Sequence, residues 1–226
     1  MLKKWKIFYL LPLILLGFLV WLDVPDSKEE KALATNQGAS TLVKTETTTA
    51  ANSNDSVSDK DLVTLLLGEH ELLKRVNGEA DGQESIRNMF SWLNDVPNEV
   101  ASAAILTVLN TGEDAFAFGR FAPGKDGYLK AYPTFRTALL DQLEKIDPAQ
   151  AVEYGKSILE SSENPDEWAL SLRALTRYAE SASDKAFLHS KVQVLLHKDA
   201  WLEEPSFSYL HSFDAAVADA QTVTIA

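Results

Sequence analysis

Two proline-marked junctions, seventeen residues apart, restrict this chain more than any other feature of its sequence. Asp147–Gln150 places an Asp at an N-cap position, a Pro at the first helical position and a Gln at the third, and Asn164–Glu167 repeats this order with Asn and Glu. Because Asp or Asn caps a helix and Pro fits only its first turn, each junction begins a new helix and ends the previous one. The sequence therefore predicts short helices of about fifteen residues.

Helical periodicity continues on both sides of these junctions, and strand-like alternation is limited to Ala115–Phe118. Further helices are predicted at Gln83–Leu93, at Asn98–Leu109, at Phe135–Ile146 after an opening Pro133, and from Ser183-Asp184 onward. This pattern predicts an all-α domain over residues 58–226, built of antiparallel helix pairs that repeat every ~36 residues in a solenoid-like stack. An irregular helical bundle is the alternative.

Residues 164–175, with the sequence NPDEWALSLRAL, resemble the start of a repeat in HEAT-like or tetratricopeptide-like solenoid proteins. The resemblance covers about 147–200, and elsewhere it is limited to helix length. It implies stacked helix pairs with a concave protein-binding surface and no particular chemistry.

The first 23 residues differ in kind from this domain. Lys3, Lys4 and Lys6 precede an apolar run from Ile7 to Leu22. These sixteen residues would span about 24 Å as a helix, somewhat short of the roughly 30 Å of a bilayer core, a shortfall that the flanking Trp5 and Trp21 and the lysines make tolerable. Since lysines stay on the cytoplasmic side, we expect an uncleaved signal-anchor in the inner membrane with the rest of the chain periplasmic. A cleaved signal peptide ending at Ala34 is the alternative.

Residues 24–57 contain six Thr, four Ser and no aromatic residue. Such a composition cannot bury enough apolar surface to offset the entropy of ordering. The segment is therefore predicted to be a flexible linker between the anchor and the helical domain.

Residues 112–132 join two predicted helices and are rich in aromatic and basic side chains. Loops of this length are uncommon and often functional. Phe116 and Phe118 are expected to fold back over the end of the helical core. The remaining aromatic and basic residues form a candidate binding patch: Arg120, Phe121, Lys125 and Tyr128.

Composition excludes several classes of function. With 33 acidic against 21 basic residues the net charge is −12, which disfavours nucleic-acid binding, and the absence of cysteine excludes thiol catalysis. Gly119–Asp126 matches the nucleotide-binding phosphate loop except at Asp126, where a hydroxyl is required. His189 and His197 are too far apart along one helix to share a metal ion. No nucleic acid, nucleotide, metal or cofactor is therefore expected.

These features together predict a non-enzymatic, membrane-anchored interaction or scaffold protein whose partner is another protein of the cell envelope. Two alternatives remain. Glu84-Ser85 on a predicted helix resembles the catalytic glutamate motif of lytic transglycosylases, which implies a peptidoglycan-active enzyme with Glu84 as general acid. The apolar end at Gln221–Ala226 would suit the N-terminal part of a longer repeat protein.

Overall fold

The computed structural model describes residues 59–203 and 205–212, which form nine helices, short connections and one long loop. In chain order the helices are α1 (Asp59–Leu73), α2 (Glu79–Asn94), α3 (Asn98–Leu109), α4 (Phe135–Ile146), α5 (Pro148–Ser161), α6 (Pro165–Tyr178), α7 (Ala182–Leu195), α8 (Asp199–Glu203) and α9 (Phe207–His211). The predicted all-α class is confirmed for this part of the chain.

Three predictions concern residues outside the described ranges: the anchor at 7–22, the linker at 24–57 and the apolar end at 221–226. Within those ranges, none of the helices is long and apolar enough to cross a lipid bilayer.

Both proline-marked junctions begin helices as predicted. The Asp147 carboxylate accepts a hydrogen bond from the Gln150 amide at 3.1 Å, and α5 follows directly. The Asn164 side chain accepts one from the Asp166 amide at 2.8 Å, and α6 follows. Each side chain thus satisfies a backbone N–H group that has no partner within its own helix.

The predicted bounds of α4, Phe135–Ile146, are confirmed; its cap is Thr134, in a capping box with Thr137, so Pro133 precedes the cap. Two other predicted helix starts were wrong by a few residues. Helix α7 is capped by Ser181, two residues before the expected Ser183. Helix α2 begins at Glu79 rather than Gln83. A hydroxyl that reaches a first-turn amide decides the two capped boundaries, and that geometry outweighs the position of the nearest Pro or Asp.

The buried apolar side chains of the described residues form two clusters. The first apolar cluster joins α1–α4 and the long loop with one side of α5 and α6, and it includes Leu66, Met89, Ile105 and Leu139. The second apolar cluster joins α5, α6, α7 and α9. Helices α5 and α6 each contribute to both clusters: Ala151 of α5 belongs to the first and Val152 and Leu159 to the second. Helix α6 contributes three residues to each cluster. Its residues in the first cluster are Ala169, Leu170 and Ala174, and those in the second are Trp168, Leu172 and Leu175.

Helices pack against their second neighbours as well as their immediate ones. Helix α1 contacts α2 and α3, α2 contacts α4, and α4 contacts both α5 and α6. Helix α6 also contacts α7 and α9. The long loop between α3 and α4 lies over these helices and carries the residues that the sequence singled out.

Candidate interaction surface

The long loop, residues 112–134, pairs with itself as an extended ribbon. The Ala117 amide donates to the Pro133 carbonyl at 2.9 Å, and the Gly119 amide donates to the Tyr132 carbonyl at 3.1 Å. The Phe135 amide closes the ribbon by donating to a carbonyl at its start, that of Ala115, at 2.9 Å. The two arms of the loop are therefore joined by their own backbone hydrogen bonds, in addition to any contact with a helix.

Gln83 on α2 attaches this ribbon to the helices. Its side-chain amide donates to the carbonyls of Ala117 at 2.7 Å and Tyr132 at 2.8 Å, and its side-chain oxygen accepts from the Tyr132 amide at 3.0 Å. The ribbon approaches so closely that a Cβ at Gly82 would collide with the Ala117 carbonyl. One side chain thus satisfies three backbone groups from both arms of the loop.

The other end of the loop is a tight hairpin over residues 122–130 that rests on α6. Its arms are joined by a hydrogen bond from the Lys130 amide to the Ala122 carbonyl at 2.9 Å. Two guanidinium groups hold its tip: Arg173 donates to the Gly127 carbonyl at 2.8 Å, and Arg177 donates to the Asp126 carbonyl at 3.0 Å.

A buried ionic network supports these two arginines. Asp141 and Glu144 on α4 are 0% and 1% exposed, and both accept from Arg173, at 2.7 and 2.6 Å. Arg177 also donates to Glu144, at 3.0 Å, and Lys145 lies 2.8 Å from Asp141. Burial opposes the charge of Arg173, but the carboxylates of Glu144 and Asp141 outweigh it and raise the pKa of that guanidinium. The buried carboxylates thus hold the two arginine side chains in the positions from which they bind the loop tip.

Tyr128, one of the predicted patch residues, is part of this network. Its ring is flanked by the cationic groups of Lys145, Arg173 and Arg177, each 5.0 to 5.1 Å from the ring centroid. Its hydroxyl lies 3.1 Å from that of Tyr178. Burial and this contact raise the pKa of Tyr128 to about 12. Tyr128 therefore packs inward and anchors the loop.

The other three patch residues differ in burial and do not lie in one place. Phe121 is 8% exposed and packs in the first apolar cluster, while Arg120 and Lys125 are exposed. Arg120 and Phe121 line one groove, whereas Lys125 lies at the hairpin tip with Tyr128. The structure therefore brings the predicted residues together in two pairs rather than in one patch.

The expectation that Phe116 and Phe118 cover the core was wrong. Ala115 and Ala117 face inward, and Phe116 and Phe118 are 71% and 43% exposed, with ring centroids 6.3 Å apart. Phe118 also has a φ of 61°, a left-handed conformation that costs a bulky residue roughly 1–2 kcal/mol. We call this pair the Phe knob. It exposes two large apolar rings on a backbone that is held from both sides.

A groove of about 640 Å³ begins directly after the Phe knob. It is lined mainly by apolar groups from the loop and from α9, together with one cation, one carboxylate and two hydroxyls. The lining residues are Gly119, Arg120, Phe121, Ala122, Pro123, Pro133, Asp166, Ser206, Phe207 and Ser208. Phe207 is itself 62% exposed, so apolar surface continues from the groove onto α9. Exposed apolar area of this kind is typical of binding sites on folded proteins.

The remaining candidate residues do not share a site. Glu84 is exposed on α2, whereas the enzymatic alternative requires it in a cleft. Its neighbour Ser85 is buried and donates to the buried Glu69 carboxylate, which gives Ser85 a packing role. Among residues 59–203 and 205–212, no three His, Asp or Glu side chains converge to hold a metal ion.

Sequence reasoning missed Gln83, the Phe knob and Phe207. The alternation at Ala115–Phe118 was the available signal for the knob, but it does not tell which face is outward.

Comparison with protein-family models, with curated proteins and with solved structures finds no match to this chain.

Proposed function

We propose that this chain is a protein-interaction module, and that its contact surface is the Phe knob together with the adjacent groove. The observation that carries the proposal is the exposure of two phenylalanine rings on a loop that is clamped at both ends. Against residues 59–203 and 205–212 the two rings stay largely exposed, so they contribute little to the packing of that part of the chain. Aromatic side chains on a rigid backbone lose little entropy when a partner buries them.

The rest of the fold serves as the support for this surface. Helices that pack against their second neighbours are what a stack of helix pairs requires, so we extend the proposal to a solenoid-like scaffold. Helix α6, buried on both sides, would be an interior helix of that stack.

The location is a further part of the proposal. An apolar run that follows three lysines supports an inner-membrane anchor, and the Ser/Thr-rich linker would hold the helical domain in the periplasm. Protease added to spheroplasts is expected to digest the helical domain. Protection of that domain, or a mature N-terminus at Thr35, would contradict the anchored arrangement.

In-cell photocrosslinking tests the interaction itself. A photoreactive phenylalanine analogue at Phe116 is expected to yield a discrete adduct in living cells. Val194 on α7, which is 47% exposed, provides the control position because it is an exposed apolar residue outside the loop. Absence of an adduct from Phe116, or the same adducts from both positions, would show that the Phe knob is not a contact surface.

A further inference from the structure

The Phe knob and the groove are neighbours on the loop. Phe118 is followed directly by Gly119, which lines the groove, and both phenylalanine rings are exposed. This part of the loop therefore combines an exposed apolar element with an adjacent concave one. If two such faces meet about a two-fold axis, each knob lies opposite the other copy's groove.

The lining of the groove also carries one positive and one negative side chain. Arg120 and Asp166 are the two ionisable residues of its lining, with opposite signs. Arg120 is exposed, Asp166 is half-buried, and neither forms an ion pair with another described residue. A hydrogen bond from Ser208 partly compensates the Asp166 carboxylate, but burial outweighs it and raises the pKa of Asp166. A purely acidic or purely basic partner would satisfy only one of these two groups.

We propose that a second copy of this chain occupies this face, in a two-fold interface where the Phe knob of each protomer enters the groove of its partner and Arg120 meets the partner's Asp166. The proposal rests on the proposed function, since it names the partner of the same surface. Under a two-fold axis the charge pair forms twice, and so does the knob-in-groove contact. The net charge of −12 opposes association at long range, so the interface depends on these specific contacts.

A charge exchange between two tagged chains tests the pairing. The full chain is expressed with two different tags, and membranes are solubilised before one tag is captured. Wild type is expected to capture wild type. Arg120→Asp is expected to lose self-capture by about tenfold or more, because two carboxylates would then face each other twice. Asp166→Lys is expected to lose self-capture for the corresponding reason, with two cations in contact.

The decisive sample combines the two variants. A chain with Arg120→Asp and a chain with Asp166→Lys restore an opposite-charge pair at both contacts, so their mutual capture is expected to return to within about threefold of wild type. This recovery cannot come from misfolded protein, which keeps the result interpretable even though Asp166 lies in the first turn of α6. A Phe116→Ser, Phe118→Ser variant is expected to lose capture in every combination.

Three results would overturn the proposal. Wild type that does not capture itself has no such interface. Self-capture that survives Arg120→Asp comes from another contact, such as the anchor. Loss in both single variants without recovery in the mixture means that these two residues do not meet. In each case a photocrosslink from Phe116 to a different protein would leave the proposed function standing.

Discussion

The attachment of the loop by Gln83 can be tested with a single substitution. Gln83→Met keeps the length of the side chain and removes its three hydrogen bonds to the backbone of Ala117 and Tyr132. At about 1 kcal/mol net for each bond, the loss is about 3 kcal/mol. We expect this loss to appear first as local opening of the ribbon from α2, because these three bonds attach both arms of the ribbon to that helix.

Hydrogen exchange measures this opening directly. The amides of Ala117 and Gly119 donate within the ribbon, to Pro133 and Tyr132, and their protection depends on the ribbon staying in place. Since each 1.4 kcal/mol is a factor of ten, their exchange is expected to accelerate by about 100-fold in Gln83→Met.

Gln142→Met is the matched control. Gln142 is also a glutamine on a helix and is buried, but its side chain donates one long hydrogen bond, 3.3 Å, to the side chain of Asn94. Its replacement is expected to cost about 1 kcal/mol or less and to leave the loop amides unchanged. If Gln83→Met changes exchange at Ala117 and Gly119 by less than about threefold, Gln83 does not hold the loop and the reasoning fails.

Three further predictions concern the ionic network, tyrosine titration and a helix cap. Arg173→Met removes the cation that contacts both Asp141 and Glu144, which stay buried. The free energy of unfolding, measured by chemical denaturation, is expected to fall by about 3–5 kcal/mol. A change near zero would show that the two carboxylates are hydrated. The pKa of Tyr128 is raised from 10.0 to about 12, so the stability that its neutral phenol provides is complete below pH 10 and is lost as the pH rises through 12. Tyr128→Phe should therefore remove one late step from the phenolate absorbance titration, and an unchanged curve would contradict this. Asp147→Ala removes the cap of α5 and is expected to cost about 1–2 kcal/mol in thermal unfolding, whereas an unchanged melting temperature would mean that the cap is dispensable.

The sequence was informative wherever the determining contact is local. Asp147 and Asn164 cap helices through amides two or three residues away, so both residues and their targets appear in one short stretch. The same holds for Thr134 and Ser181, although a nearby Pro or Asp obscured them. Helix positions in an all-α chain are therefore largely readable from sequence.

The loop could not be read in the same way because its contacts are distant. Gln83 bonds to groups 34 and 49 positions further along the chain, and a glutamine on a helix normally indicates a solvated face. Large apolar side chains are normally the buried ones. At the Phe knob the small side chains of Ala115 and Ala117 are buried instead, and the large rings of Phe116 and Phe118 are exposed. Close approach of the ribbon to Gly82 leaves room only for small side chains on the inner face, and that constraint is tertiary.

Because α5 and α6 both have residues in both apolar clusters, the two parts of the helical domain share these two helices. A fragment that ends after α4 would lack Leu170 and Ala174, which complete the first cluster, and would also lack Arg173, which neutralises Asp141 and Glu144. A fragment that begins at α5 would expose the opposite side of α6 to water. The shortest autonomous folding unit of this chain therefore extends from α1 at least through α6, and deletion analysis of the domain has to respect that minimum.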